Sequence, residues 1–291
     1  MALQEIPAVW LQGAGCSGCS VSILNGVAPS IARALLDELV PGKHLNLRFH
    51  PTIMAGQGEM ALEVLRATPR EVEKGYVLVV EGAIPTGAGG RFCMVGEEDG
   101  RPVPFTEHVE RLARKALAVI AVGDCAAFGG IPSTGPNPTG AMGAAQFLKE
   151  RGVETPVVNL GGCPVNADWF LGTVAAIMLR GLPGPEDLDP WGRPKLFYGR
   201  LIHDNCPRRG KFDAGHFARK PGDDGCLYLL GCKGLITYAD CPERQWNGGT
   251  NWCIGTGAPC MGCAEARFFH RFGPVYRKVT EEGLEQLRQG E

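Results

Sequence analysis

The amino-acid sequence predicts an α/β protein with a doubly wound parallel sheet, followed by a smaller and irregular second domain. Short apolar runs alternate with helical segments through the first part of the chain, which is the pattern of βα units. A stretch rich in glycine and proline, GLPGPEDLDPWGRPK, then ends this alternation. Beyond it the chain is dense in cysteine and turns. We therefore place one domain at residues 1–182 and the other at 183–291.

The sheet is predicted from apolar runs that are long enough for strands and are followed by helical segments. The predicted strands are Ala8–Leu11, Leu45–Phe49, Tyr76–Val80, Ala118–Val122 and Pro156–Leu160. The predicted helices are Val21–Leu39 with an interruption at Pro29, Glu59–Ala67, Phe105–Ala116, Gly140–Lys149 and Asp168–Leu179. Because every pair of consecutive strands is separated by enough residues for a crossover, the strands should run parallel.

Composition excludes several classes of protein. The net charge of −2 and the pI near 6.3 give no basic field, which argues against a nucleic-acid partner. No apolar run approaches the roughly 18 to 20 residues that span a bilayer, so we expect a soluble protein without a transmembrane segment. The N-terminus carries no export signal, which fits a cytoplasmic protein or one whose signal was removed.

The turn after the first strand combines glycines with thiols. Gly13, Gly15 and Gly18 spell GxGxxG, the spacing of a dinucleotide-binding turn, yet binding a pyrophosphate requires no thiol between the glycines. Cys16 and Cys19 form a Cys-x-x-Cys pair in the same turn. This pair is compatible with a metal cluster, a redox disulfide or half of a zinc site.

Further thiols follow other strands. Cys125 comes after the fourth strand and Cys163 after the fifth, while Glu81 comes after the third. Ligands of open α/β sheets gather beyond the carboxyl ends of the strands, so these thiols should meet Cys16 and Cys19 there. Zinc uses the same number of ligands but usually draws them as two local pairs. Ligands from three strand ends favour a [4Fe–4S] cluster.

The second domain carries two more candidate ligand sets. The first comprises His203, Cys206, Cys226 and Cys232. A lone histidine is usually a surface residue, but the three neighbouring thiols favour ligation. The second set comprises Cys241, Cys253, Cys260 and Cys263. A zinc ribbon is the alternative for this set, although the eleven residues between its first two cysteines do not suit one.

The rest of the second domain has little apolar periodicity, so metal binding should contribute much of its folding free energy. The charged tail Thr280–Glu291 is predicted to form a short polar helix. Cys93 is the cysteine outside all three sets, and we interpret it as a buried structural thiol.

Seven motifs together resemble the small, electron-transferring subunit of [NiFe] hydrogenases, of the soluble [NiFe] or [NiFeSe] uptake type. They are QGAGCSGCSVSILN, FHPTIMAGQGEMAL, VVEGAIPTG, GDCAAFGGIPS, GGCPVNADW, HDNCPR and NWCIGTGAPCMGC. The resemblance implies a flavodoxin-like first domain and three iron–sulfur clusters. The ligands would be Cys16, Cys19, Cys125 and Cys163 for the proximal cluster, Cys241, Cys253, Cys260 and Cys263 for the medial one, and His203, Cys206, Cys226 and Cys232 for the distal one.

The resemblance also implies partners. The Ni–Fe centre that cleaves H₂ would lie in a separate large subunit, whose face would cover the proximal cluster, and this chain would relay electrons during H₂ oxidation or evolution. The distal cluster would exchange electrons with a c-type cytochrome, a ferredoxin-like protein or a quinone-linked partner. The family favours a periplasmic location after removal of a signal, with a cytoplasmic location as the alternative suggested by Met1.

Several positions refine the resemblance. Many relatives have proline at the position of Cys253 and a medial [3Fe–4S] cluster, so the thiol predicts [4Fe–4S] here, with [3Fe–4S] as the alternative. This pattern resembles the selenium-containing branch. Gly18 and Gly130 stand where oxygen-tolerant relatives carry additional cysteines, which predicts an ordinary proximal cubane. Glu81 occupies the family's acidic position, where a carboxylate could tune the cluster, relay protons, cap a helix or bond to backbone.

Two other functions compete with this interpretation. A nucleotide-dependent iron–sulfur oxidoreductase would use the glycine turn, but the end of the second strand offers Phe49, His50 and Pro51 in place of an acidic ribose ligand. A zinc- or disulfide-stabilised binding protein would have no redox role and no colour. The cluster-bearing quinone-site subunit of respiratory complex I is related in the N-terminal half, but that family lacks the second domain.

Overall fold

A five-stranded parallel sheet organises the protein, whose computed structural model describes residues 4–72, 75–272 and 276. The strands are β1 (Gln4–Gln12), β2 (Lys43–Phe49), β3 (Val77–Glu81), β4 (Ile84–Pro85), β5 (Met94–Glu98), β6 (Arg101–Pro104), β7 (Ala118–Val122), β8 (Ala141–Met142) and β9 (Val157–Leu160). The sheet order is β2-β1-β3-β7-β9, all parallel, and β4–β8 and β5–β6 form small antiparallel pairs. This confirms the predicted fold class and all five predicted strands, in the flavodoxin-like order.

Helices cover both faces of the sheet and then become short. They are α1 (Gly18–Leu24), α2 (Ile31–Leu36), α3 (Gly58–Glu71), α4 (Phe105–Ala113), α5 (Gly123–Phe128), α6 (Ala144–Glu150), α7 (Ala167–Arg180), α8 (Lys195–Tyr198), α9 (Arg209–Asp213), α10 (Cys241–Arg244) and α11 (Phe268–Phe272). The helix predicted over residues 21–39 is two helices, separated by the segment that contains Pro29, as expected.

Other boundaries differ from the prediction. The helix predicted from Gly140 is wrong at its start, since Ala141–Met142 pairs with Ile84–Pro85 and α6 begins at Ala144. The β5–β6 hairpin and the short helix α5 were not predicted. Both lack a long apolar period, which is the signal that sequence reasoning depends on.

Two apolar cores lie on opposite faces of the sheet. Alternate residues of β1 point into different cores, as Trp10 and Leu11 do. The Leu11 face packs against α3, α4 and α6. The Trp10 face packs against α1, α2 and α7, and this core continues into the C-terminal region through Ile202, Leu227 and Trp252. The C-terminal region is therefore anchored on one face of the sheet domain.

The C-terminal region has little regular structure. Between Gly181 and Phe272 the described residues form helices of four or five residues, 3₁₀ turns and isolated bridges, such as the one between Phe217 and Cys226. The polar helix predicted for Thr280–Glu291 lies outside the described residues. In the described parts of the chain, no helix has the length and apolar character needed to cross a membrane.

Candidate metal centres

The first candidate centre lies beyond the carboxyl ends of β1 and β3, where the strand order reverses. Gly13 N–H donates to the Glu81 carbonyl at 2.8 Å, and Ala14 and Ala83 exchange two backbone hydrogen bonds. A Cβ atom on Gly13 would lie 2.6 Å from the Ala83 oxygen and equally close to the Phe105 ring. The first glycine of the turn is therefore needed for close packing within the protein, which removes the main support for a nucleotide site there.

The other strand ends bring two more thiols to this edge. Cys125 lies in α5 directly after β7, and Cys163 lies directly after β9. Asp124 ties the two turns together, because its backbone N–H donates to the Gly162 carbonyl at 2.9 Å and its Oδ1 accepts from the Gly162 N–H at 2.8 Å. The thiols of Cys16 and Cys163 both act electrostatically on Cys125, so the predicted proximal set shares one neighbourhood.

Burial makes these thiols poor acids when no cation is bound. It raises the pKa of Cys125 to about 12 and that of Cys163 to about 11, and it raises the pKa of Cys19 well above its ordinary value. The thiolate is the form that binds metals, so iron binding here would release protons. A cation at this edge would remove the cost of ionising several buried thiols side by side.

Glycines leave room around the same sulfur atoms. A Cβ atom on Gly123, whose φ is +82°, would lie 2.3 Å from the Cys19 sulfur. Equivalent atoms on Gly18 and Gly130 would lie 3.0 Å from the Cys16 sulfur and 2.9 Å from the Cys125 sulfur. The missing side chains leave space beside three ligand sulfurs, and a cluster that is larger than a single ion needs such space. The residues present therefore fit a cubane.

The second centre is a cavity whose wall includes all four predicted distal ligands together with apolar side chains. The ligands in its wall are His203, Cys206, Cys226 and Cys232. Backbone bonds from His203 N–H to the Gly234 carbonyl and from Cys226 N–H to the His216 carbonyl hold the loops in place. Burial, followed by the charge of Arg209, lowers the pKa of His203, so its imidazole is neutral and able to ligate at pH 7.

The third set lies deepest in the C-terminal region. Cys241 begins α10 and is buried. Burial raises the pKa of Cys241 to about 12, with contributions from Asp240 and Cys253. Cys260 is also buried and Cys263 is half-buried, and the pKa of Cys260 is raised by burial and by Cys232, Cys241 and Cys253. The structure therefore brings Cys253 to the predicted medial set.

The spacing of these groups differs from that of a single-ion site. Within residues 4–72 and 75–272, no three His, Cys, Asp or Glu side chains lie close enough together to hold one metal ion. All twelve cysteines are described and are free thiols. The described residues therefore contain neither a preformed zinc site nor a disulfide bond. Cys93, predicted to be buried, is only half-buried against the core on the Leu11 face.

Glu81 is the centre of a buried polar network that sequence reasoning saw only in part. The side chain is 3% exposed and accepts hydrogen bonds from Trp10 Nε1, Gln12 Nε2 and Ser20 N, each at 3.0 Å, and from Ser20 Oγ. Ser20 Oγ also contacts His50 Nε2 at 3.2 Å. The carboxylate therefore bonds to the backbone of α1, one of the roles that the sequence left open.

The sequence analysis did not identify two buried ionisable residues beside the candidate ligands. Asp124 is 3% exposed, and its Oδ2 has no hydrogen-bond partner in the part of the chain that the structure describes. Lys233 is 2% exposed and lies between two ligand sets, since its backbone N–H donates to the Cys260 carbonyl at 2.7 Å. Both directly adjoin a candidate cysteine in sequence, which was the available signal.

Comparison with known proteins gives two family matches along the chain. Residues 198–276 match the model that describes the C-terminal part of NiFe/NiFeSe hydrogenase small subunits. Residues 16–177 match the model described as NADH ubiquinone oxidoreductase, 20 Kd subunit. The second match agrees with the relationship to respiratory complex I noted for the N-terminal half, whereas the first covers most of the C-terminal region.

Individual relatives match almost the whole chain. The small subunit of the periplasmic [NiFeSe] hydrogenase of Desulfomicrobium baculatum is 44% identical over 283 residues, which cover 94% of this chain and 87% of that protein. The small subunit of the periplasmic [NiFe] hydrogenase of Solidesulfovibrio fructosivorans is 40% identical over 277 residues, covering 93% and 81%. The recombinant [NiFeSe] hydrogenase of Desulfovibrio vulgaris Hildenborough superposes with a TM-score of 0.87 at 44% identity, covering 94% and 98%.

These similarities agree with the fold, the motifs and the three ligand neighbourhoods. They extend through both the sheet domain and the C-terminal region, and they exceed what a shared fold alone would give. The chain belongs to the family of [NiFe] and [NiFeSe] hydrogenase small subunits, which form hydrogenases together with a large subunit.

Proposed function

We propose that this chain holds three [4Fe–4S] clusters and relays electrons between the Ni–Fe site of its large subunit and an external carrier. The proximal ligands are Cys16, Cys19, Cys125 and Cys163, the medial ligands are Cys241, Cys253, Cys260 and Cys263, and the distal ligands are His203, Cys206, Cys226 and Cys232. Bound there, the clusters would supply three one-electron sites. The observation that supports the proposal is proximity: the four distal donors line one cavity, and electrostatic interactions connect the thiols of the proximal set and those of the medial set.

The chain's own residues provide the conditions for this chemistry. Cys226, Cys241 and Cys260 are buried, which would keep water from iron bound there, and the neutral His203 imidazole in place of a thiolate would make the distal site less negative. Gly123 leaves space beside the Cys19 sulfur. Asp124 holds the turns of Cys125 and Cys163 together.

We further propose that the edge where Cys16 is exposed lies against the large subunit. Large apolar side chains are exposed on segments that adjoin this edge: Val21 and Leu24 on α1, Ile53 after β2, and Ile131 after α5. Exposed apolar side chains on several segments beside an exposed candidate ligand support an interface there. The Ni–Fe centre, held by the large subunit, would then face the proximal ligands.

The distal set would exchange electrons with a redox carrier such as a c-type cytochrome or a ferredoxin-like protein. Its cavity lies in the C-terminal region, with half-buried His203 and Cys206 in the wall beside exposed Asp204 and Pro207. A periplasmic location is proposed because relatives from two organisms carry that location in their names.

Single replacements of cysteine by serine in the purified small–large complex test the ligand sets. Cys125→Ser, Cys226→Ser and Cys260→Ser should each remove or damage a different cluster, with a loss of up to about four iron atoms per chain. Cys93→Ser is the matched control and should leave the iron content unchanged. Equal iron in Cys226→Ser and the unaltered complex would overturn the distal assignment.

A further inference from the structure

Lys233 is a buried cation between two ligand sets of the C-terminal region. It follows the distal ligand Cys232, and its backbone N–H donates to the carbonyl of the medial ligand Cys260 at 2.7 Å. Its side chain is 2% exposed, and Nζ donates to the Gly231 carbonyl at 2.8 Å. Burial lowers the pKa of Lys233, and the charges of the Cys232 and Cys260 sulfurs oppose this by raising it. One positive charge therefore faces both neighbourhoods.

Burying an ammonium costs several kcal/mol unless negative charge compensates it. The sulfurs of Cys232 and Cys260 would supply that charge as thiolates once iron is bound. Adding an electron to either cluster makes its surroundings more negative, and a cation held nearby at low dielectric then stabilises the reduced form.

We propose that Lys233 is a positioning residue for charge, whose ammonium would raise the reduction potentials of the medial and distal clusters together. The proposal rests on the ligand assignment above. Lys233 adjoins the distal ligand Cys232 in sequence and bonds through its backbone to the medial ligand Cys260, so its charge should affect the proximal potential least.

The test is an EPR-monitored redox titration of the purified complex carrying Lys233→Met or Lys233→Arg. Methionine keeps the length and apolar stem without the charge, so the medial and distal potentials should both shift to more negative values while the proximal potential stays. The Lys233→Arg variant keeps the positive charge, so its medial and distal potentials should stay close to those of the unaltered complex. Lys220→Met is the matched control, because Lys220 is exposed in the loop that carries Cys226 and its charge is screened by water.

Each outcome bears on the proposal. Unchanged medial and distal potentials in Lys233→Met, with full iron, would overturn it, and so would an equal shift of all three clusters. If the medial and distal clusters are lost with methionine but kept with arginine, the charge is required already during assembly. Loss with both variants would show that the site needs the shape of lysine and not its charge. Absence of medial and distal signals from the unaltered complex would instead refute the ligand assignment.

Discussion

The sheet domain and the C-terminal region hold their cysteines in opposite ways. In the sheet domain, β3 and β7 are completely buried, and Cys16, Cys125 and Cys163 lie shortly after the ends of strands. In the C-terminal region, eight candidate ligands lie on 3₁₀ turns, loops and helices of four or five residues. Strands of the parallel sheet position the first site, whereas loops and isolated short helices surround the other two.

This difference indicates where the folding free energy comes from. The sheet domain buries apolar side chains on both faces and is expected to fold without iron. The C-terminal region contributes part of one core, through residues such as Leu227 and Trp252, and a small cluster around Ile236 and Phe268. Its remaining stability should come from metal binding.

Removing the iron should produce the largest difference between the two regions. After anaerobic chelation, amide hydrogens at residues 201–263 should exchange rapidly, because the ligands no longer cross-link the loops. Amides of β3 and β7 should stay protected. Hydrogen exchange with mass spectrometry measures both regions in one sample, and continued protection of residues 201–263 would contradict the comparison.

Gly123→Ala should remove the proximal cluster and spare the others. The new Cβ would lie 2.3 Å from the Cys19 sulfur, and φ of +82° disfavours any side chain. Iron should fall by about four atoms per chain, measured by iron quantitation with EPR. Gly181→Ala is the control, with φ of +87° and nothing within 4 Å of its Cβ, and should keep its iron. Full iron in Gly123→Ala would show that the proximal cluster does not need the space that Gly123 leaves beside the Cys19 sulfur.

Cys253→Pro should change the medial cluster in the C-terminal region and leave the proximal cluster of the sheet domain unchanged. The hydrogen bonds that Thr256 and Ala258 donate to residue 253 use its carbonyl oxygen, which proline retains. We therefore expect a medial [3Fe–4S] cluster, a loss of about one iron per chain and an oxidised [3Fe–4S] EPR signal. An unchanged EPR spectrum would show that Cys253 is not a ligand.

Glu81→Gln should have the smallest effect and should be confined to the sheet domain. Glutamine keeps the shape but offers one acceptor oxygen to donors on Trp10, Gln12 and Ser20, so the free energy of unfolding should fall by about 1–3 kcal/mol. Urea denaturation measures this. Glu107→Gln, which removes an exposed ion pair with Arg101, should cost about 0–1 kcal/mol. An equal loss of unfolding free energy in Glu81→Gln and Glu107→Gln would show that the buried Glu81 network stabilises the protein no more than an exposed ion pair does.

The sequence was informative where a local period or spacing carries the signal. Buried strands such as Val77–Glu81 were found because they are continuous apolar runs, and ligands such as Cys125 were found because they follow them. The Ser20–Glu81–His50 network and the place of Lys233 join segments far apart in the chain. Such contacts depend on tertiary packing, and no local pattern encodes them.

Iron quantitation with EPR on the purified small–large complex, as isolated and after dithionite reduction, tests the central claim most directly. We expect about twelve iron atoms in this chain and no stoichiometric [3Fe–4S] signal in the oxidised complex. An oxidised [3Fe–4S] signal that persists under anaerobic handling would exclude Cys253 from the medial set. A chain without iron would contradict the whole account.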